Sequence, residues 1–583
     1  NVPGAGGGTT TDTVTASASM TLADGSMLLF SGTKYGTQST VATTLILQKL
    51  TPQGEFVNRV HVYPSVSGAM TTYGNLCMAL LSNGNICVAW YGGQSGNAYF
   101  AIYTQSLQLV ATGLIAASVF PYHIQPTSNG GALVFSSTGL SLITAAGVIS
   151  LVVSAPGAVL CYSDEINDNS AVIDNGACAG RTKYAPVPIS NGGFGYVYGW
   201  NSGTFYAQIN ADGTLRTAPI TLTATPSGGA IKVAVSPVTG NIMWLSSAAS
   251  LFGIVSDAGA IVKAQTAMTN FSSVVGGCRL ISDTNGNFLL FSYVGGTGLW
   301  FLQYLTPAGA ILYGGPTQVM VSNNGANLGV SSISKLSTGT LLLDSNYPSY
   351  TFRYAFISLT GVITTGVLYD FGQVQNGSLL RSFVLNDVVY GVCLVGGAAS
   401  ASGTSDLVAF SFTSAGVLNL TPTYVGTPLL AQVAGVADLQ LVLDASKKSF
   451  HALTLSYSGL ATVISTFDLN LRYAQSFTVP FVLVFCKLRA YAQGIFCVDI
   501  GASRLANTLG LTVGLFLKPR STVFLGVAAA SAAEGSALIV NTKGVYPISP
   551  AWKYAAQTFD QSANNPPGNS GSINNGFLNL KGF

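Results

Sequence analysis

Two tight-turn signals recur in constant phase along most of this chain. The first falls at Asp24-Gly25, Asn83-Gly84, Asn129-Gly130, Asn191-Gly192, Thr239-Gly240, Asn285-Gly286 and Thr338-Gly339, with weaker copies near Asn386-Asp387, Lys447-Lys448 and Gln493-Gly494. Successive centres lie roughly 46 to 62 residues apart, the size of one multi-stranded repeat. The second signal follows at Gln53-Gly54, Ala146-Gly147, Asp212-Gly213, Ala258-Gly259, Ala308-Gly309, Thr360-Gly361 and Ala415-Gly416. Asn-Gly and Asp-Gly supply the positive φ of a hairpin turn, and the flanking segments are rich in Val, Ile, Leu, Phe and Tyr. The pattern predicts an all-β chain of tandem antiparallel hairpin repeats, β-propeller-like, in which every first-turn Gly holds an equivalent position.

Composition supports that class. Charged residues make up only 7% of the 583 residues, and no long stretch with a 3.6-residue apolar period is bounded by helix caps. The longest apolar run, from Val479 to Cys486, is too short to cross a bilayer as a helix, so no membrane span is expected. The net charge of +3 leaves no basic stripe, which argues against a nucleic-acid partner. So few charges suit a chain held in a larger assembly, as a homo-oligomer or in many copies, better than a free enzyme.

The cysteines read as buried free thiols. A two-residue turn at Asn83-Gly84 would oppose Leu80 to Cys87 and put Cys77 on the other face, too far to bridge. Cys486 and Cys497 repeat that arrangement, and no pair has zinc-knuckle spacing. The expected organisation is an extended arm at 1–20, the repeat domain at 21–505, a small β module at 506–550 and an extended docking tail at 551–583.

A catalytic site has little to draw on. Glu occurs only at Glu55, Glu165 and Glu534 and His only at His61, His123 and His451, with no nucleophile elbow or metal-spaced partner beside them. The reading is of a non-enzyme with no cofactor and no assigned metal. Carboxylates gather once, at Asp164, Glu165, Asp168 and Asp174. That stretch is either a calcium loop, lacking the mid-loop Gly and terminal Glu of an EF-hand, or a solvated insertion.

Binding is the remaining candidate. The loop after the second strand repeats one chemistry in four copies, with aromatic rings beside Gly, Asn and Ser. Tyr91, Trp200, Tyr293, Tyr347 and Tyr350 are the candidate receptor-binding residues, suited to stacking on sugar rings without charge; the alternative is that such rings fill space between neighbouring repeats.

Near the C-terminus the sequence runs Val523-Phe524-Leu525-Gly526-Val527-Ala528, then Ala532-Ala533-Glu534-Gly535, then Val540 to Val545 with Lys543-Gly544-Val545 at its end. This order resembles a small β module of bacteriophage tail-fibre and head-fibre proteins. The resemblance implies a virion protein: a fibre or receptor-binding protein that attaches to a host-surface glycan or protein and is held to other virion proteins through its C-terminal region. A structural capsid-decorating or tail accessory protein without receptor affinity, and a secreted propeller lectin, share the same sequence features.

Overall fold

The computed structural model describes residues 13–35, 42–52, 56–62, 74–92, 97–117, 119, 121–155, 161–162, 187–200, 203–225, 231–246, 251–268, 278–294, 299–313, 317–321, 332–346, 351–370, 379–396, 405–420, 436–444, 447–456, 462–478, 486–491, 494–499, 513–517, 527–528 and 540–541. Among the described residues the turn signals fall between paired antiparallel strands. At Gly84 (φ 82°) the amide donates to Leu81 O at 2.9 Å, and Leu81 N donates to Asn85 O at 2.8 Å. The second turns close the same way around Gly147, Gly213, Gly259, Gly309, Gly361 and Gly416, whose φ values run from 74° to 89°. A hydroxyl three residues before the Gly braces most of them: Thr144, Ser256, Thr306, Ser358 and Thr413 each accept the amide four residues on.

Two hairpins in tandem make a four-stranded antiparallel meander, here called a blade. Among the described residues there are ten in chain order, at 13–61, 74–116, 121–154, 187–223, 231–267, 278–321, 332–370, 379–420, 436–478 and 486–517. Among the described residues blade 10 has three strands, and blade 5 gains a fifth, Cys161–Tyr162, which runs parallel to Ile231 and Lys232. The first strand of one blade lies against the first strand of the next, as in blades 1 to 3 and 5 to 10. The fourth strands face out: Ile261–Ala267 has no buried residue, whereas every residue of Ile242–Ser246 in the same blade is buried. This is a β-propeller arrangement, with first strands innermost and fourth strands at the rim.

Among the described residues eight apolar clusters hold it together, and each is shared by two consecutive blades, from blades 1 and 2 through blades 8 and 9. A middle strand is therefore covered on both faces. Its sequence reads as a continuous apolar run, such as Ile242-Met243-Trp244-Leu245, rather than as an alternation.

The second turns also lock blade to blade. A Cβ on Gly147 would collide with Ala111 of blade 2, on Gly309 with Lys263 of blade 5, and on Gly416 with Phe356 of blade 7. Glycine thus serves both the backbone and the neighbour. Two blades solve the contact in reverse. Leu107 (φ 65°) and Leu471 (φ 63°) occupy the Gly position in the turns of blades 2 and 9. Leu107 is buried in the cluster with blade 1, and Leu471 in the cluster with blade 8. The left-handed backbone costs about 1–2 kcal/mol, and burying a Leu side chain returns about 1.5–3 kcal/mol.

The structure corrects four expectations. Thr13–Thr21, assigned to the arm, is the first strand of blade 1, paired with Met27–Tyr35; its small Ser, Thr and Ala residues hide the strand. Val513–Leu517, assigned to the C-terminal module, pairs with Gly494–Asp499 as the third strand of blade 10. Gly339 is not a turn centre. It opens the second strand opposite Leu336, so Ser337 and Thr338 form a two-residue turn. Finally, Ala79 rather than Leu80 opposes Cys87, because the turn spans Leu81 to Asn85. Cys77 therefore faces the same cluster as Cys87, yet two strand residues, about 7 Å, separate it from the bridging position. Both are free thiols, and burial pushes the Cys87 thiol up to about 12.

Candidate recognition face

In an up-and-down meander the first and third connections emerge on one side, and the second connection and the exit emerge on the other. The two sides of this molecule differ accordingly.

The turn side is tied together across blades. Gln105 Nε2 of blade 2 donates to Gly84 O at 3.0 Å within its own blade, while Lys49 Nζ of blade 1 reaches Gln105 O at 3.4 Å. Asn129 Nδ2 of blade 3 donates to Asp212 O of blade 4, and Ser128 N to Ala211 O at 2.8 Å. In blade 4, Tyr206 Oη donates to Asp257 O at 3.0 Å, Gln208 Nε2 donates to the same oxygen, and Ser190 N donates to Asp257 Oδ2. Ser337 N of blade 7 donates to Asp387 Oδ1 of blade 8 at 2.7 Å. Hydrogen bonds from Thr214 hold the Asp212 carboxyl below its usual range.

The other side carries the aromatic loops. Tyr91 stands near the end of the second strand of blade 2, opposite Ala98, and is half-buried. Trp200 ends the second strand of blade 4 opposite Gly203, and Tyr293 lies near the end of that of blade 6 opposite Trp300. In backbone position, therefore, all three hold the same end of the same strand. Tyr347 and Tyr350 lie outside the described residues, between Asn346, which ends the second strand of blade 7, and Thr351, which opens the third. The acidic stretch from Asp164 to Asp174 also lies outside them. Among the described residues no group of three or more His, Cys, Asp or Glu could hold a metal ion.

The neighbouring rings of these strands are core. Trp90 is fully buried, edge-on to Phe30 of blade 1 at 6.2 Å and stacked on Tyr99 at 5.9 Å. Tyr198 stacks between Tyr196 and Phe205, and burial pushes its hydroxyl up to about 12. Trp300 is buried and donates to Asp344 Oδ2 of blade 7 at 2.8 Å.

The three histidines lie in three different blades. His61 ends the rim strand of blade 1, and His123 lies against Phe135 in blade 3 at 5.9 Å. His451 is fully buried in blade 9, with Nδ1 2.9 Å from Thr466 Oγ1. Burial pulls its ring down to about 4, against a smaller opposing pull from Asp444.

No family model matches the chain, and no curated protein matches it in sequence. Among solved structures, virginiamycin B lyase from Staphylococcus aureus is 11% identical, with 55% of this chain and 95% of that one covered at a TM-score of 0.29. The WD40 domain of SCAP from fission yeast is also 11% identical, covering 66% of this chain and 92% of that one, again at 0.29. The dihydro-heme d1 dehydrogenase NirN is 13% identical, with 65% and 72% covered at 0.32. At these scores none of them bears on what this chain does; the sheet order and the shared cores define its fold.

Proposed function

We propose that this chain is a recognition propeller: a virion fibre or receptor-binding protein whose loop side contacts a host-surface glycan or protein. The observation that carries the reading is the common position of Tyr91, Trp200 and Tyr293 at one end of the second strands of blades 2, 4 and 6, with the Tyr347 to Tyr350 loop joining the corresponding strands of blade 7. Repetition around a propeller turns four short loops into one extended surface. Rings beside Gly, Asn and Ser supply stacking area and adaptable hydrogen bonds with little charge. The turn side, tied blade to blade, is the scaffold that holds the loops in register.

The virion setting rests on the resemblance of the 523–545 segment to phage fibre modules, and it assigns attachment to other virion proteins to the C-terminal region. The test is binding of the purified full chain to a glycan array and to host cells, repeated with Trp200→Ala and Tyr293→Ala. Loss of binding at an unchanged melting temperature supports the reading. Variants that melt early show the rings to be core. Full binding by stable variants removes these loops from the mechanism and favours a structural role in the particle.

A further inference from the structure

Two of the first turns share one tetrapeptide, Ser-Asn-Gly-Gly, at 128–131 in blade 3 and at 190–193 in blade 4. Both close around a glycine of positive φ, 82° at Gly130 and 81° at Gly192. Sequence and backbone therefore match, and only the surroundings differ.

The blade 3 copy is clamped from both flanks. Gly130 is buried, its amide donates to Ser82 Oγ of blade 2 at 3.0 Å, and a Cβ on it would sit 2.7 Å from Asn83 Nδ2. On the other flank Asn129 Nδ2 donates to Asp212 O of blade 4 at 3.3 Å, while Asn129 Oδ1 accepts from Thr127 Oγ1 and Gly131 N. The blade 4 copy stands open. Asn191 and Gly192 are both exposed, and a Cβ on Gly192 would meet nothing within 4 Å. The Gly192 amide donates to Ile189 O of its own turn at 3.0 Å, and Asn191 Nδ2 has no partner among the described residues. Asn191 Oδ1 is held, accepting from Gly193 N at 3.0 Å.

We propose that Asn191 is a self-modification site of the folded chain, deamidating through a cyclic imide, and that Asn129, in the same tetrapeptide, is kept from the reaction by its neighbours. The Gly192 nitrogen attacks Asn191 Cγ, where the Gly193 amide already donates to the oxygen on which negative charge develops. The Gly192 N–Cγ bond forms, the Cγ–Nδ2 bond breaks, and the Gly192 amide proton leaves with Nδ2 as ammonia. Water then opens the ring, at Cγ to give aspartate or at the backbone carbonyl carbon to give isoaspartate. The fold has a place for aspartate: Asp24 precedes Gly25 in the first turn of blade 1 and accepts from Ser26 N at 2.9 Å in the same way. Isoaspartate lengthens the main chain by a methylene, next to the Ser190 amide that holds Asp257 Oδ2 of blade 5, and so loosens a tie between blades. The inference goes beyond the recognition reading: it concerns the turn side, not the aromatic loops, and either can fail alone.

The experiment ages the full chain at mildly alkaline pH, with and without urea, and follows both asparagines by peptide mapping and mass spectrometry. In the native chain modified Asn191 should accumulate about tenfold faster than modified Asn129, because the clamped turn reacts only when it opens. In urea, where the shared tetrapeptide is what remains, the two rates should agree within about twofold. Equal rates in the native chain, or the same ratio with and without urea, would overturn the proposal. Electron-transfer fragmentation should find both isoaspartate and aspartate at position 191; aspartate alone would overturn the cyclic route.

Discussion

Replacing a turn glycine by alanine should cost one amount where the turn is open and a larger amount where it touches the neighbouring blade. Gly192 and Gly416 form the matched pair. Both have positive φ, 81° and 74°, but a Cβ on Gly192 meets nothing within 4 Å, whereas one on Gly416 falls under 3.0 Å from the Phe356 ring of blade 7. Gly192→Ala therefore carries only the left-handed backbone penalty, about 1–2 kcal/mol. Gly416→Ala carries that penalty plus overpacking of about 1–3 kcal/mol, for a total of about 2–5 kcal/mol. Urea unfolding followed by tryptophan fluorescence, with the slope checked for constancy, measures both. A cycle with Phe356→Leu isolates the packing part: a smaller ring substitute should recover most of the excess at Gly416 and nothing at Gly192. Equal costs at the two glycines would refute the claim that second turns lock successive blades. A cost at Gly192 near zero would refute the backbone argument itself.

Three further outcomes are expected. His451 binds its proton at about 4 when folded against about 6.5 when unfolded, so stability should fall as pH drops from 6.5 toward 4, by about 3 kcal/mol in all; His451→Gln should remove this part of the slope, and urea midpoints at pH 7 and 4.5 that shift equally in both proteins would contradict it. Tyr304→Phe deletes the hydroxyl that donates to the buried Asp283 carboxylate and should cost about 1.5–3 kcal/mol by the same assay; no change would show that Asp283 finds another donor. On the loop side, Trp200→Ala should weaken receptor binding by about 0.5–1.5 kcal/mol if the ring stacks on a sugar, whereas a loss of about 3–5 kcal/mol in stability would mark it as core.

The turn chemistry made most of the architecture readable in advance. Gly84, Gly213 and Gly286 announce themselves because an L-residue with a side chain resists φ near 80°. Leu107 and Leu471 hide two of the same turns, since burial against the preceding blade compensates the strained backbone and leaves no glycine to read. A usable signal was still present: Thr104 and Asp468 sit three residues before them and accept the amide four residues on, as the braced glycine turns do. Strand alternation was absent for a physical reason, because middle strands such as Ile242–Ser246 are covered on both faces. The candidate loops were legible as positions at strand ends. Which rings belong to the core was legible only from packing, as the fully buried Trp90 beside the half-buried Tyr91 shows.

The sharing of each apolar cluster between two consecutive blades means that no blade owns its interior. Unfolding blade 5 alone would strip one wall from the cluster built on Val197 and Trp244 and one from the cluster built on Leu245 and Phe288. Local opening is therefore expensive in the middle of the array, and amide exchange should reach blades 4 to 6 late and together. A chain cut in the connection between two blades would likewise leave two halves with matching apolar walls, each the other's best solvent, so that separately made halves should find one another and reassemble.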